Sequence, residues 1–210
     1  MDPSLRWGDE KMSPDIELAL IHMPAHLREA FRALFAIDAA MGDVVARSTD
    51  PALGRIKLAW WREQLEALDD NPPPAEPRLT AVAEHLLAAG VSGAEIASLE
   101  SGWATLLDAE IEPQLVAERG SALFKIGGRL LGSNEGKLAD AGALYALASV
   151  GRRGIPELLE PAREYRARLR GHRFERRARP LTMLARSAAS ESDRARALAL
   201  LAHRWSGRIG

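Results

Sequence analysis

One stretch constrains the fold of this chain more than any other: Pro51-Ala-Leu-Gly-Arg-Ile-Lys-Leu-Ala-Trp-Trp-Arg-Glu-Gln-Leu-Glu-Ala-Leu68 is its longest clean amphipathic pattern and holds two of its five tryptophans. At about 100° per residue, Ile56, Leu58, Trp60, Trp61, Leu65 and Leu68 share a wide arc with Leu53. Arg55, Arg62, Glu63 and Glu66 share the opposite one. The pattern predicts a helix pressed into a core over half its circumference. Lys57 and Gln64 fall inside the apolar arc, where an amine must either snorkel to solvent or meet a partner.

The rest of the chain repeats this helical grammar between clear breaks. Ser13-Pro14-Asp15 offers helix-start chemistry for Ile16 to His22, and a second helix runs from after Pro24 to about Ala46. Ser48-Thr49-Asp50-Pro51 separates it from the Trp-Trp helix. The proline-rich run from Asp69 to Pro77 must be a surface loop. Further helices are predicted over Leu79–Ala88, Ala94–Glu110, Gln114–Leu131, Lys137–Val150, Pro156–Arg170, Pro180–Ser187 and Asp193–Trp205. Strand-type alternation and a fixed-period repeat are both absent from the sequence, so the expected fold class is all-α with roughly nine or ten helices. Residues 1–13 are expected to be a flexible lead-in, and 14–210 a single domain.

Charge is balanced overall but unevenly placed. The net charge is -1, so nothing global demands nucleic acid, and none is expected as a partner. Residues 1–150 carry 13 basic and 23 acidic side chains, whereas residues 151–210 carry 15 arginines against 6 acids. Eight of those arginines fall between Arg163 and Arg179. That basic stretch is either a contact for phosphate or a lipid surface, or a solvated helix face followed by a basic loop. With zero cysteines there are no disulfides or thiolate metal sites. His22 and His26 are spaced i,i+4, but Pro24 between them disfavours a zinc pair. With no transmembrane-length apolar run and no signal-peptide pattern, the expected location is cytoplasmic, with peripheral contact at the inner face of a membrane as the limit.

The succession Arg28, Ala30, Phe31, Ala33-Leu34-Phe35-Ala36-Ile37 and Gly42-Asp43-Val44-Val45, followed by Leu58-Ala59-Trp60-Trp61-Arg62-Glu63 and a proline-rich loop, resembles the squalene/phytoene synthase family. It looks most like a compact divergent branch related to complex I assembly factors. The resemblance is most specific over about residues 16–80. It implies an isoprenoid-synthase-like antiparallel helical bundle around a central cavity, with Phe35, Ala39, Gly42, Ala46, Trp60 and Trp61 on the cavity wall. Active members of the family join prenyl diphosphates head to head, using aspartates on two facing helices to hold magnesium ions that stabilise the departing diphosphate.

Laid on this chain, the first aspartate-rich segment places Ala39 at its arginine, and Gly42, Asp43 and Ala46 at its aspartates; only Asp43 matches. Asp38 lies five residues away, about 140° around the helix, so the two do not point at one ion. Asp38 falls on the apolar arc, where a buried carboxylate needs a partner: either it meets Lys57 across the helix pair, or the two reach solvent or a backbone group separately. The second segment is placed by the echo Gly151-Arg152-Arg153-Gly154-Ile155-Pro156, which puts Ala143, Ala146 and Leu147 at its metal positions. A shifted placement brings in Asp140. The resemblance therefore implies a terpenoid-type, transferase-like fold with degenerate magnesium motifs. The expected function is a non-catalytic isoprenoid- or lipid-binding protein, or an assembly factor contacting a respiratory enzyme or membrane, with no cofactor. The alternative is an active head-to-head prenyltransferase that binds magnesium through Asp43, Asp38 and Asp140 and diphosphate through Lys57, Arg152 and Arg153.

Overall fold

Proline and side-chain caps start many of the helices. The computed structural model describes residues 12–190 and 193–209; of the expected lead-in, residues 1–11 lie outside them. Helix α1 (Pro14–Ile21) opens with Pro14 in its first turn and Ser13 Oγ accepting from Ile16 N at 3.4 Å. After α2 (Arg28–Arg47), Asp50 accepts from Ala52 N at 2.8 Å and Pro51 starts α3 (Pro51–Ala67). Glu76 and Pro77 do the same for α4 (Pro77–His85), where Glu76 Oε2 accepts from Leu79 N at 2.9 Å. Each device satisfies a backbone N–H that the first helical turn leaves without an intrahelical partner.

The predicted helix Ala94–Glu110 is divided into α5 (Gly93–Ala97), α6 (Glu100–Ala104) and a 3-10 turn at Thr105–Leu107. Serines account for the break. Ser98 Oγ donates to Glu95 O at 2.7 Å and Ser101 Oγ to Ser98 O at 3.3 Å, so side-chain bonds compete for the carbonyls of a continuous helix. The acidic loop contributes to the next element, because Asp69 Oδ2 accepts from Ala94 N at 3.0 Å. The remaining helices are α7 (Pro113–Leu130), α8 (Lys137–Arg152), α9 (Leu159–Arg168), α10 (Arg179–Ala188) and α11 (Asp193–Ser206). All described elements are helical, in keeping with the all-α expectation.

Helices α7 and α8 form the most intimate pair, and α9 and α10 lie against α8. A Cβ added to Gly120 would lie 2.1 Å from the Gly142 carbonyl oxygen, and one on Gly142 would lie 2.0 Å from that of Gly120. The two backbones thus touch where neither carries a side chain. Helix α2 packs on α4 and is adjoined by α3, α6 and α1, while α3 lies on α5 and α6. Phe31, Phe35, Leu34, Ile37 and Met41 of α2 and Phe124 of α7 are fully buried in a common core.

Helix α3 corrects an expectation. Its buried side is the narrow seam Gly54, Leu58, Trp61 and Leu65, continued by Leu68, whereas Leu53, Ile56 (66% exposed) and Trp60 face outward. Spacings of three and four give one stripe, not half a circumference. Hydrophobicity alone cannot say how many neighbours a helix has. Gly54 narrows the seam further, since a Cβ there would come within 2.7 Å of both Leu107 Cδ1 and Ser48 Oγ.

Candidate functional site: a buried ion pair inside the bundle

Asp38 and Asp43 leave α2 in different directions. Asp38 (6% exposed) follows the periodicity of Phe31, Leu34, Ile37, Met41 and Val45 into the core. There its Oδ1 accepts from Arg119 Nη1 at 2.7 Å and from Trp103 Nε1 at 2.9 Å. Arg119 (2% exposed) comes from α7 and Trp103 from α6, so one carboxylate ties three helices together. The Arg119 guanidinium carbon lies 3.8 Å from the centroid of the Trp103 ring, which gives the cation a π face besides its counter-ion. Arg119 Nε has no hydrogen-bond partner. That unmade bond is part of the cost of seating a guanidinium in the core.

The arrangement overturns the pairing of Asp38 with Lys57. Lys57 is exposed on the outer side of α3, next to Ile56, and Arg119 supplies the counter-charge. Arg119 and Trp103 were both missed from sequence. A signal for Arg119 exists: it stands among Val116, Ala117, Gly120, Leu123 and Phe124, all of which are buried. An arginine within such an arc must find an anion.

Tyr145 of α8 stacks near Phe124, with ring centroids 5.5 Å apart. Burial pushes its phenol up to about 12, the Asp38 charge adds to the rise, and Arg153 and Arg119 oppose it. Asp43, five residues beyond Asp38, is only partly buried, 3.8 Å from Arg47 Nη2 one turn on. Burial raises its carboxyl above the usual range against the pull of Arg47, Arg78 and Arg153. Glu100, on α6, is a second nearly buried carboxylate that the sequence did not single out. Its Oε2 is 3.8 Å from Arg62 Nη1, and burial holds its carboxyl above the usual range.

The other predicted residues are dispersed. Asp140 is held by Lys137 Nζ at 2.8 Å within the first turn of α8. Arg152 Nη1 donates to the Ser190 carbonyl at 2.8 Å, and Arg153 is exposed. Of the expected cavity wall, Phe35, Gly42 and Trp61 are buried, Ala46 is half-buried, and Ala39 and Trp60 face solvent. Ala143, Ala146 and Leu147 are completely buried on the inner side of α8.

These donors do not fit a magnesium cluster. Such a site needs several oxygen ligands converging on one ion. Here Asp38 is bound by Arg119 and Trp103, Asp43 has Arg47 beside it, and Asp140 is held by Lys137. Among the described residues no three His, Asp or Glu side chains come close enough together to hold a metal ion. Nor, among them, is any helix long and apolar enough to cross a membrane.

Comparison with known proteins agrees with this architecture. No curated protein and no solved structure gives a significant match to the chain. The family model described as squalene/phytoene synthase matches residues 10–104, the segment that carries α1 to α6 and both Asp38 and Trp103. The match covers 95 of the 210 residues, and the all-α fold is consistent with this likeness.

Proposed function

We propose that this chain is a non-catalytic protein of the squalene/phytoene synthase type that acts as an assembly-type interaction protein. The observation that carries the reading is the Asp38–Arg119 pair. The one carboxylate that α2 directs fully into the core is neutralised by a guanidinium 2.7 Å away. A prenyl diphosphate can ionise only where metal ions stabilise the leaving group. An interior whose buried anion already has a cationic partner offers no such pole.

The outer face of α3 favours the assembly-type reading over an internal isoprenoid site. Leu53, Ile56 and Trp60 are large, apolar and exposed at spacings that put them on one stripe. A stripe of this kind suits an apolar surface on a protein partner, for which a respiratory enzyme is one setting. The test is to incubate the purified chain with farnesyl and geranylgeranyl diphosphate in the presence of Mg²⁺. The expected outcome is no release of diphosphate above the protein-free rate. Metal-dependent release that Asp43→Asn abolishes would overturn the reading and restore the prenyltransferase alternative.

A further inference from the structure

At the ends of α1 and α11 and the loop before α10, three segments meet to expose two large apolar side chains within a field of arginines. Trp205, near the end of α11, is 80% exposed, and Ile21, at the end of α1, is 63% exposed. Arg204 donates to the ring of His22, which joins the residue before Trp205 to the residue after Ile21. Arg179 holds the third segment in place. Its Nη1 donates to the carbonyls of Arg204 at 3.1 Å and Trp205 at 3.0 Å, and its Nε donates to that of Phe174 at 3.2 Å. Phe174 N donates in turn to Gly207 O at 2.9 Å, where Gly207 (φ 68°) turns the chain out of α11. An exposed tryptophan is thus fixed to the loop that carries Arg173, Arg176 and Arg177.

The charge at this place is mainly positive, and its carboxylates are engaged: Glu135 accepts from Glu175 N at 3.1 Å and lies 3.2 Å from His172 Nε2. Arg173, Arg176, Arg204 and Arg208 are all exposed, and no carboxylate among the described residues pairs with them. Glu175 is engaged by Arg177 at 3.3 Å. The Arg179 guanidinium is pulled down by burial and by the positive field of Arg173 and Arg176, with Glu135 opposing. Arginines used to clamp carbonyls and arginines left facing water are therefore interleaved in one patch.

We propose that this face docks on an anionic lipid bilayer, with Trp205 and Ile21 entering the headgroup boundary and the surrounding arginines meeting lipid phosphates. Tryptophan suits that depth because its ring is apolar while its N–H remains hydrogen-bonded. Arginines within a Debye length of the surface add attraction. Ile21 favours this occupant over a nucleic acid, since an aliphatic side chain gains more at a headgroup boundary than beside a phosphate backbone. The uneven charge also orients the molecule: residues 151–210 hold 15 arginines against 6 acids, while residues 1–150 hold 23 acids against 13 bases. The acidic body is turned away from a negative membrane as the basic end is drawn in.

The experiment is flotation of the full chain with vesicles of phosphatidylcholine alone, or with about one-quarter phosphatidylglycerol, at low and high salt. Binding to the anionic vesicles, absent from neutral ones and reversed by salt, is expected. Arg173→Glu with Arg176→Glu should weaken it at least about tenfold, and Trp205→Ser several-fold, both with an unchanged helical circular dichroism spectrum. Equal binding to neutral vesicles, no binding at all, or unchanged affinity in both variants would overturn the proposal. So would a single-stranded oligonucleotide that binds more tightly than the anionic vesicles.

Discussion

Asp38 and His203 are both buried groups able to carry charge, and the protein treats them in opposite ways. Asp38 enters the core with a counter-charge, Arg119 Nη1 at 2.7 Å. Among the described residues His203 has no acidic partner. With Nδ1 donating to the Arg208 carbonyl at 3.0 Å, Nε2 is left to accept from the Thr182 hydroxyl at 2.8 Å. Burial pulls the imidazole down to about 4, the Arg208 carbonyl resists, and the fields of Arg179 and Arg186 add to the fall. In the N-terminal part the buried charge brings its own partner; in the arginine-rich end the buried base avoids charge altogether. The difference follows from the surroundings, because a third cation beside Arg179 and Arg186 would have no carboxylate among the described residues paired with it.

The largest test breaks the first arrangement. Arg119→Met strands the Asp38 carboxylate and should cost about 3–5 kcal/mol in denaturant unfolding, whereas Asp38→Leu combined with Arg119→Met should recover most of that loss. A cost of the single variant below about 1 kcal/mol would mean that Asp38 is satisfied elsewhere.

The next test addresses His203 through pH. Its folded value lies below its unfolded one, so below pH 6.5 the unfolded chain takes up a proton that the folded chain refuses until about pH 4. Its contribution is fully present above 6.5 and is lost as pH falls toward 4. Between pH 7 and pH 4.5 the loss should be about 2 kcal/mol from this group, and His203→Gln should flatten that part of the urea-unfolding profile. An unchanged slope in the variant would remove His203 from the comparison.

Smaller effects sharpen it. Arg179→Ala removes donors to the carbonyls of Phe174, Arg204 and Trp205 at the protein's edge. It should cost about 1 kcal/mol, with faster amide hydrogen exchange confined to the end of α11 and the 171–179 segment. Trp60→Ser, on the outer stripe of α3, should cost no more than about 1 kcal/mol, lost from its edge-on contact with Trp61 at 5.0 Å between centroids.

Helix limits were legible in the sequence at Ser13-Pro14 and Asp50-Pro51, where a proline and a capping side chain coincide; at Glu76-Pro77 the same device went unread, and Pro77, assigned to the loop, instead opens α4. Asp38's burial was legible too, because it rests on the periodicity of its own helix. Its partner was not: Arg119 is 81 residues away, and local pattern carries no information about which inward cation a carboxylate meets. The outer face of α3 was misassigned for a related reason. Leu53, Ile56 and Trp60 have the composition of a core and lack the neighbours to make one. The division at Ser98 was hidden because it depends on side-chain hydrogen bonds that compete locally with helix continuation.

The contact between Gly120 and Gly142 limits what the inner side of α8 can carry. A Cβ on Gly120 would stand 2.6 Å from Ala146 Cβ, so Ala146 is already seated against the neighbouring backbone. An aspartate at Ala146 would drive a carboxylate into α7 where there is no room for a methyl group on the other side. The two helices would have to part to admit it, so a change in side-chain chemistry there is first a change in packing. Close packing of this kind fixes the register of α7 on α8.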